Sequence, residues 1–154
     1  IGSHPATALE LGSGTGHVSL TLAHLGLDTL GTDREPLAVA LSERNAHRNN
    51  LTGFRAERLE WSDPRVSPQT SLLLGSDIVY DAMAPEALFT LIETQGLLAA
   101  SGTLVLGGPA ARTELLDGLL ERFIGEGYRH HRDRQPVAWE GRDELVDVHA
   151  LVRP

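Results

Sequence analysis

The sequence predicts a doubly wound α/β fold: a mostly parallel sheet with helices on its faces and a C-terminal antiparallel hairpin. Three observations predict it. Short apolar runs alternate with segments of helical periodicity, the pattern of right-handed βαβ units. A glycine-rich turn, LELGSGTGH at residues 9–17, joins the first apolar run to the first helical segment. The last two strand candidates have no helical pattern between them, which implies antiparallel pairing.

Each element follows from its own residues. Residues 6–11 read as a short buried strand. Residues 15–25 read as a helix, with Val18, Leu22 and Leu25 at helical spacing. A second strand, 28–32, ends at Asp33. Pro36 suits the first turn of the next helix, which Leu37, Ala40, Leu41 and Arg44 carry towards Asn49. Asn45 and Asn49 suit local hydrogen bonding at its end. Residues 54–59 are a third strand, and SDPRVSPQTS at 62–71 reads as loop. A buried strand over 72–79, a helix over 85–98 and a strand over 102–106 come next. Residues 112–124 form the clearest amphipathic helix, with Leu115, Leu116, Leu119, Leu120, Phe123 and Ile124 in one stripe. Residues 128–132 and 145–152 close the chain, joined by 133–143. Along the last strand, Val146, Val148, Ala150 and Val152 share one face, and Asp147 and His149 the other. Arg129, Arg132 and Arg134, near Asp133, read as a solvated face.

Composition narrows the function. A length of 154 residues predicts one domain, residues 1–154. The chain opens on Ile1, and the expectation is a domain lacking an N-terminal segment. There is no cysteine, which removes disulfides, thiolate metal sites and cysteine nucleophiles. The formal charge of −8 argues against a general grip on nucleic acid. No apolar run reaches the ~20 residues of a membrane span, and a cytoplasmic location fits. The seven histidines are scattered without a helical pair, so no metal site is expected. No G-x-S-x-G elbow supports a nucleophilic triad.

The glycine turn carries the strongest signal. Gly12, Gly14 and Gly16 follow a strand and precede a helix, where free N–H groups face a ligand. Asp33 lies about 20 residues on, at the end of the next strand, where a carboxylate holds ribose hydroxyls. A dinucleotide fingerprint needs G-x-G-x-x-G, and His17 stands in the third glycine's place, which disfavours a nicotinamide-cofactor oxidoreductase. The phosphate-loop pattern is absent. These residues describe a nucleoside site without the glycine spacing of a dinucleotide.

E-L-G-S-G-T-G followed by Asp33 resembles the signature of class I, seven-strand, S-adenosylmethionine-dependent methyltransferases, over essentially the whole chain. The resemblance implies a Rossmann-like sheet, with S-adenosyl-L-methionine as cofactor. Its carboxylate and amine would lie against the backbone of Gly12, Ser13, Gly14 and Gly16, and its ribose against Asp33. Glu10 would orient the methionine moiety, usually indirectly in this family. Glu60 and Trp61, in LEW, resemble the acid–Trp pair that some members place at the adenine.

The stretch GSDIVYD at 75–81 lacks the N-P-P-Y of amino methyltransferases that act on nucleobases or glutamine amides. It resembles the D-x-x-Y motif of seven-strand protein lysine methyltransferases and of nicotinamide-type N-methyltransferases. Ser76 would border the cofactor, and Asp77 and Tyr80 the reacting groups. Residues three apart on a straight strand face opposite ways, so the pair can share a site only if the chain turns at Ile78–Val79. The expected activity is N-methylation of a protein lysine. The alternatives are a nicotinamide-like small molecule as acceptor, or a non-catalytic nucleoside-binding module of the same fold.

Overall fold

The structure, a computed structural model, describes residues 7–62, 69–111, 114–139 and 142–154. Its strands are β1 (Thr7–Leu11), β2 (Asp28–Asp33), β3 (Phe54–Arg58), β4 (Thr70–Ser76), β5 (Leu98–Pro109), β6 (Arg129–Trp139) and β7 (Arg142–Val152). The helices are α1 (His17–His24), α2 (Pro36–Arg48), α3 (Ala84–Phe89) and α4 (Glu114–Gly125); a π-helical turn, Thr90–Thr94, extends α3. All seven strands form one sheet in the order β3-β2-β1-β4-β5-β7-β6. β7 alone runs antiparallel to both its neighbours; every other pairing is parallel. The doubly wound sheet with its C-terminal hairpin is therefore the observed fold.

One core lies where Leu9, Leu11, Leu73, Leu104, Leu106 and Leu151 of the sheet meet Leu88 and Leu91 beside Leu119 and Phe123 of α4. The order reverses at β1: β2 lies on one side and β4 on the other. The carboxyl ends of these central strands meet at that reversal, which is where open α/β sheets bind ligands.

Several boundaries differ from expectation. The strand expected over 72–79 begins at Thr70 and stops at Ser76, because Asp77 takes a left-handed backbone with φ 52°. The helix expected over 85–98 ends before Gly96, whose φ of 68° breaks it. Gln95 N–H bonds Thr90 O across five residues, the signature of a π turn. Leu98 already belongs to β5. The connection expected over 133–143 is mostly strand, since β6 runs to Trp139 and β7 starts at Arg142. Residues 6, 63–68, 112–113 and 140–141 of the expected elements and loops lie outside the described residues.

The arginine face is exposed, as expected, and two of its side chains also reach a buried acid. Asp147 is 2% exposed and His149 1%. Arg132 Nη2 reaches Asp147 Oδ2 at 2.5 Å, and Arg134 donates to both carboxylate oxygens at 2.7 and 2.8 Å. His130 Nε2 lies 3.0 Å from His149 Nδ1, with the rings stacked. The arginines pair because Asp147 is buried, and an unpaired buried carboxylate is costly. Burial, then the neighbouring His130, holds the His149 ring below its ordinary pKa.

Candidate active site

The three glycines of the turn all have positive φ: 65° at Gly12, 53° at Gly14 and 86° at Gly16. Their surroundings differ. A Cβ on Gly12 would sit 2.7 Å from Ile78 Cγ2, and one on Gly16 would sit 2.9 Å from Ser42 Cβ. A Cβ on Gly14 would meet nothing within 4 Å among the described residues. Gly12 and Gly16 thus admit the protein's own side chains, and only Gly14 faces open space. The bare backbone of the turn answers to packing at Gly12 and Gly16 and opens on free space among the described residues at Gly14.

Glu10 stands behind the turn. It is 3% exposed, and its Oε2 accepts the Ser19 N–H at 2.9 Å in the first turn of α1. A carboxylate there suits the helix's positive end. Burial nevertheless raises the carboxyl above its ordinary 4.5, against the lowering effect of that hydrogen bond. A raised folded-state pKa means the folded chain holds the proton more tightly, so stability declines as pH climbs from 4.5 through the folded value. Glu10→Gln should remove that slope and keep an acceptor for Ser19. Glu10→Ala strands the N–H and should cost about 1–3 kcal/mol in denaturant titration at neutral pH.

Asp33 closes the turn from the side. Its Oδ2 accepts Gly14 N–H at 2.9 Å and its Oδ1 accepts Glu35 N–H at 3.0 Å. The carboxylate is therefore fixed in orientation before any ligand arrives. Asn45, expected to bond locally, instead donates from Nδ2 to Thr15 O at 3.0 Å, tying α2 to the turn. Asn49 does bond locally, to Asn45 O at 2.8 Å. Ser13 Oγ is buried with no hydrogen-bond partner among the described residues.

A cleft of about 520 Å³ opens at the carboxyl ends of the central strands. Gly12, Asp33, Glu60 and Trp61 line one part of it; Ser76, Asp77 and Tyr80 line another. Glu10, Ser13, Gly14 and Gly16 build the turn beside it and are not in its wall. Asp77 and Tyr80 do reach one space, and the turn that allows it falls at Asp77, one residue before the expected Ile78–Val79. Asp77 N–H bonds Gly107 O at 2.7 Å, while Ile78 and Val79 bury themselves in the core. Anchored on both sides, the chain throws Asp77 and Tyr80 outward. An aspartate tolerates the left-handed backbone better than most residues.

Residues 2–114 match the family described as lysine methyltransferase. The chain belongs to the lysine methyltransferase family. It is 36% identical over 148 residues to the protein N-lysine methyltransferase METTL21A of Danio rerio, covering 92% of this chain and 62% of that one. It is 26% identical over 139 residues to the ribosomal protein L11 methyltransferase of Mesorhizobium japonicum, covering 88% and 46% respectively. The chain therefore spans about half the length of these relatives. A methyltransferase of Pyrococcus furiosus shares the fold with a TM-score of 0.78 at 19% identity, over 97% of this chain and 75% of that one.

The cleft also holds residues that motif reading passed over. Arg34, Met83, Ala84, Ala87 and Thr90 belong to its wall. Arg34 directly follows Asp33, and adjacency to that carboxylate was the available signal. The others come from the entry to α3, from α3 itself and from its π turn, whose approach to the cleft no local pattern announces.

Proposed function

We propose that this chain transfers the methyl group of S-adenosylmethionine to the side-chain nitrogen of a protein lysine. The observation that carries the reading is the single cleft, which joins Asp33, Glu60 and Trp61 to Asp77 and Tyr80. The residues present fit the cofactor. Gly14 leaves backbone with open space before it, the Asp33 carboxylate is already oriented, and Trp61 packs partly on the core while facing the cleft.

When bound, S-adenosylmethionine supplies a methyl group on a sulfonium whose thioether leaves without further activation. The protein's work is then alignment. Gly12, Ser13, Gly14 and Gly16 shape the seat for the amino-acid moiety, and Glu10 holds that turn against α1. Asp33 holds the ribose, Glu60 and Trp61 border the adenine, and Ser76 closes the floor beside Gly12. Asp77 draws in the lysine ammonium and orients its nitrogen, which gives up a proton to solvent so that its lone pair can take the methyl group as the thioether leaves, and Tyr80 offers a ring face and a hydroxyl. A cationic acceptor suits this acid-lined mouth better than a neutral pyridine does. No helix among the described residues is long and apolar enough to cross a membrane. The reading places this chemistry in the cytoplasm, in keeping with a cysteine-free sequence.

Tritiated cofactor with cell lysate tests the acceptor: label should enter protein as methyl-lysine, and label confined to small molecules would refute a protein acceptor. The adenine position has its own test. With Trp139→Phe, Trp61 is the only tryptophan left, and S-adenosylhomocysteine should shift its emission. A silent Trp61 alongside calorimetric binding would put the adenine elsewhere.

A further inference from the structure

Asp81, next to Tyr80, is a carboxylate in the cleft wall that methyl transfer leaves unused. Its Oδ1 accepts two backbone N–H groups, those of Met83 and Ala84, each at 2.9 Å. Those bonds fix the entry to α3 and also fix the side chain. No described residue donates to Oδ2. Glu86, also in the wall, differs in that Arg122 neutralises it at 2.6 Å. Asp81 thus presents a charged oxygen at the cleft with its ordering cost already met within the fold, which favours capture of a cation. The neighbours on either side are exposed and apolar: Tyr80 is 56% exposed and Met83 75%. Such a ledge suits the aliphatic stem of a long cationic side chain whose head stays in water. The net charge of −8 favours approach of a positive segment.

We propose that Asp81 is a specificity-determining residue that reads a second cationic side chain, an arginine or lysine flanking the methylated lysine. The inference rests on the lysine reading of the cleft. Asp81→Asn separates charge from structure, because asparagine keeps the Oδ1 acceptor for Met83 and Ala84.

The test uses the full chain, tritiated S-adenosylmethionine and nonapeptides with a central lysine whose neighbours are arginine, alanine or glutamate. The parent should prefer arginine neighbours over alanine by about three- to fivefold in KM, the scale of one exposed ion pair, and the preference should shrink with added salt. Asp81→Asn should abolish the preference, while its melting temperature, its affinity for S-adenosylhomocysteine and its rate on the alanine-flanked peptide stay at parent values. A parent indifferent to neighbouring charge would overturn the inference, as would an Asp81→Asn variant that keeps the preference. Failure to label any peptide while S-adenosylhomocysteine binds also overturns it. Failure to bind S-adenosylhomocysteine overturns the reading of the cleft instead.

Discussion

Replacing Asp77 by asparagine is expected to lower turnover on a lysine acceptor by about 10- to 1000-fold, the scale of losing one well-placed electrostatic group. The substitution suits the site. Asparagine has the same shape as aspartate and also tolerates the φ of 52° found here. The bond from residue 77 N–H to Gly107 O is a main-chain bond and survives. Cofactor affinity should therefore stay within about twofold if, as proposed, the group lost serves the acceptor and not the ribose. Single-turnover rates and calorimetry with S-adenosylhomocysteine give the two numbers separately. Tyr80→Phe divides the hydroxyl's contribution from the ring's. If both variants turn over at the parent rate, neither residue takes part in the reaction.

Asp33→Ala is expected to weaken S-adenosylmethionine binding by about 1.5–3 kcal/mol, or roughly 10- to 150-fold in Kd. The same carboxylate accepts Gly14 and Glu35 N–H groups, so alanine also loosens the glycine turn. Asp33→Asn keeps one acceptor oxygen and places an amide on the other side. If the ribose is held by the carboxylate, asparagine should lose most of the affinity while retaining more of the thermal stability than alanine does. Cofactor affinity unchanged in both variants, with only the melting temperature lowered, would leave Asp33 as a brace for the turn and nothing more.

Much of this arrangement was legible from residue patterns because the signals were local. A strand, three glycines, a helix and an acid at the next strand's end place Gly12, Gly14 and Asp33 without reference to distant contacts. The hairpin's pairing was legible because no helix separates its strands. What stayed hidden depends on partners far apart in sequence. The strand end at Ser76 is decided by the backbone of Asp77, and nothing in SDIVY marks which residue turns. The helix reading overran to Leu98 because Leu97 and Leu98 continue the apolar spacing, while Gly96 breaks the helix between them and its body. Arg132 and Arg134 are solvated as read, but their pairing stayed hidden because Asp147 lies on another strand and is buried. The partner of Glu10, the Ser19 N–H, appears only once α1 is folded back on β1.

The pairing of exposed His130, Arg132 and Arg134 with buried Asp147 and His149 also governs how the outer strands can pair. β6 is one margin of the sheet. Side chains alternate along a strand, so sliding β7 by one residue would turn Asp147 and His149 to the opposite surface, away from Arg132, Arg134 and His130. Apolar side chains alone would tolerate such a slip more cheaply, since Val146, Val148 and Ala150 resemble one another. The charges favour a single alignment over its neighbours, because a shifted one takes the Asp147 carboxylate away from both guanidinium groups. The cationic side chains of β6, with Pro136 among them, also discourage an unrelated strand from adding to that margin, a common defence against aggregation.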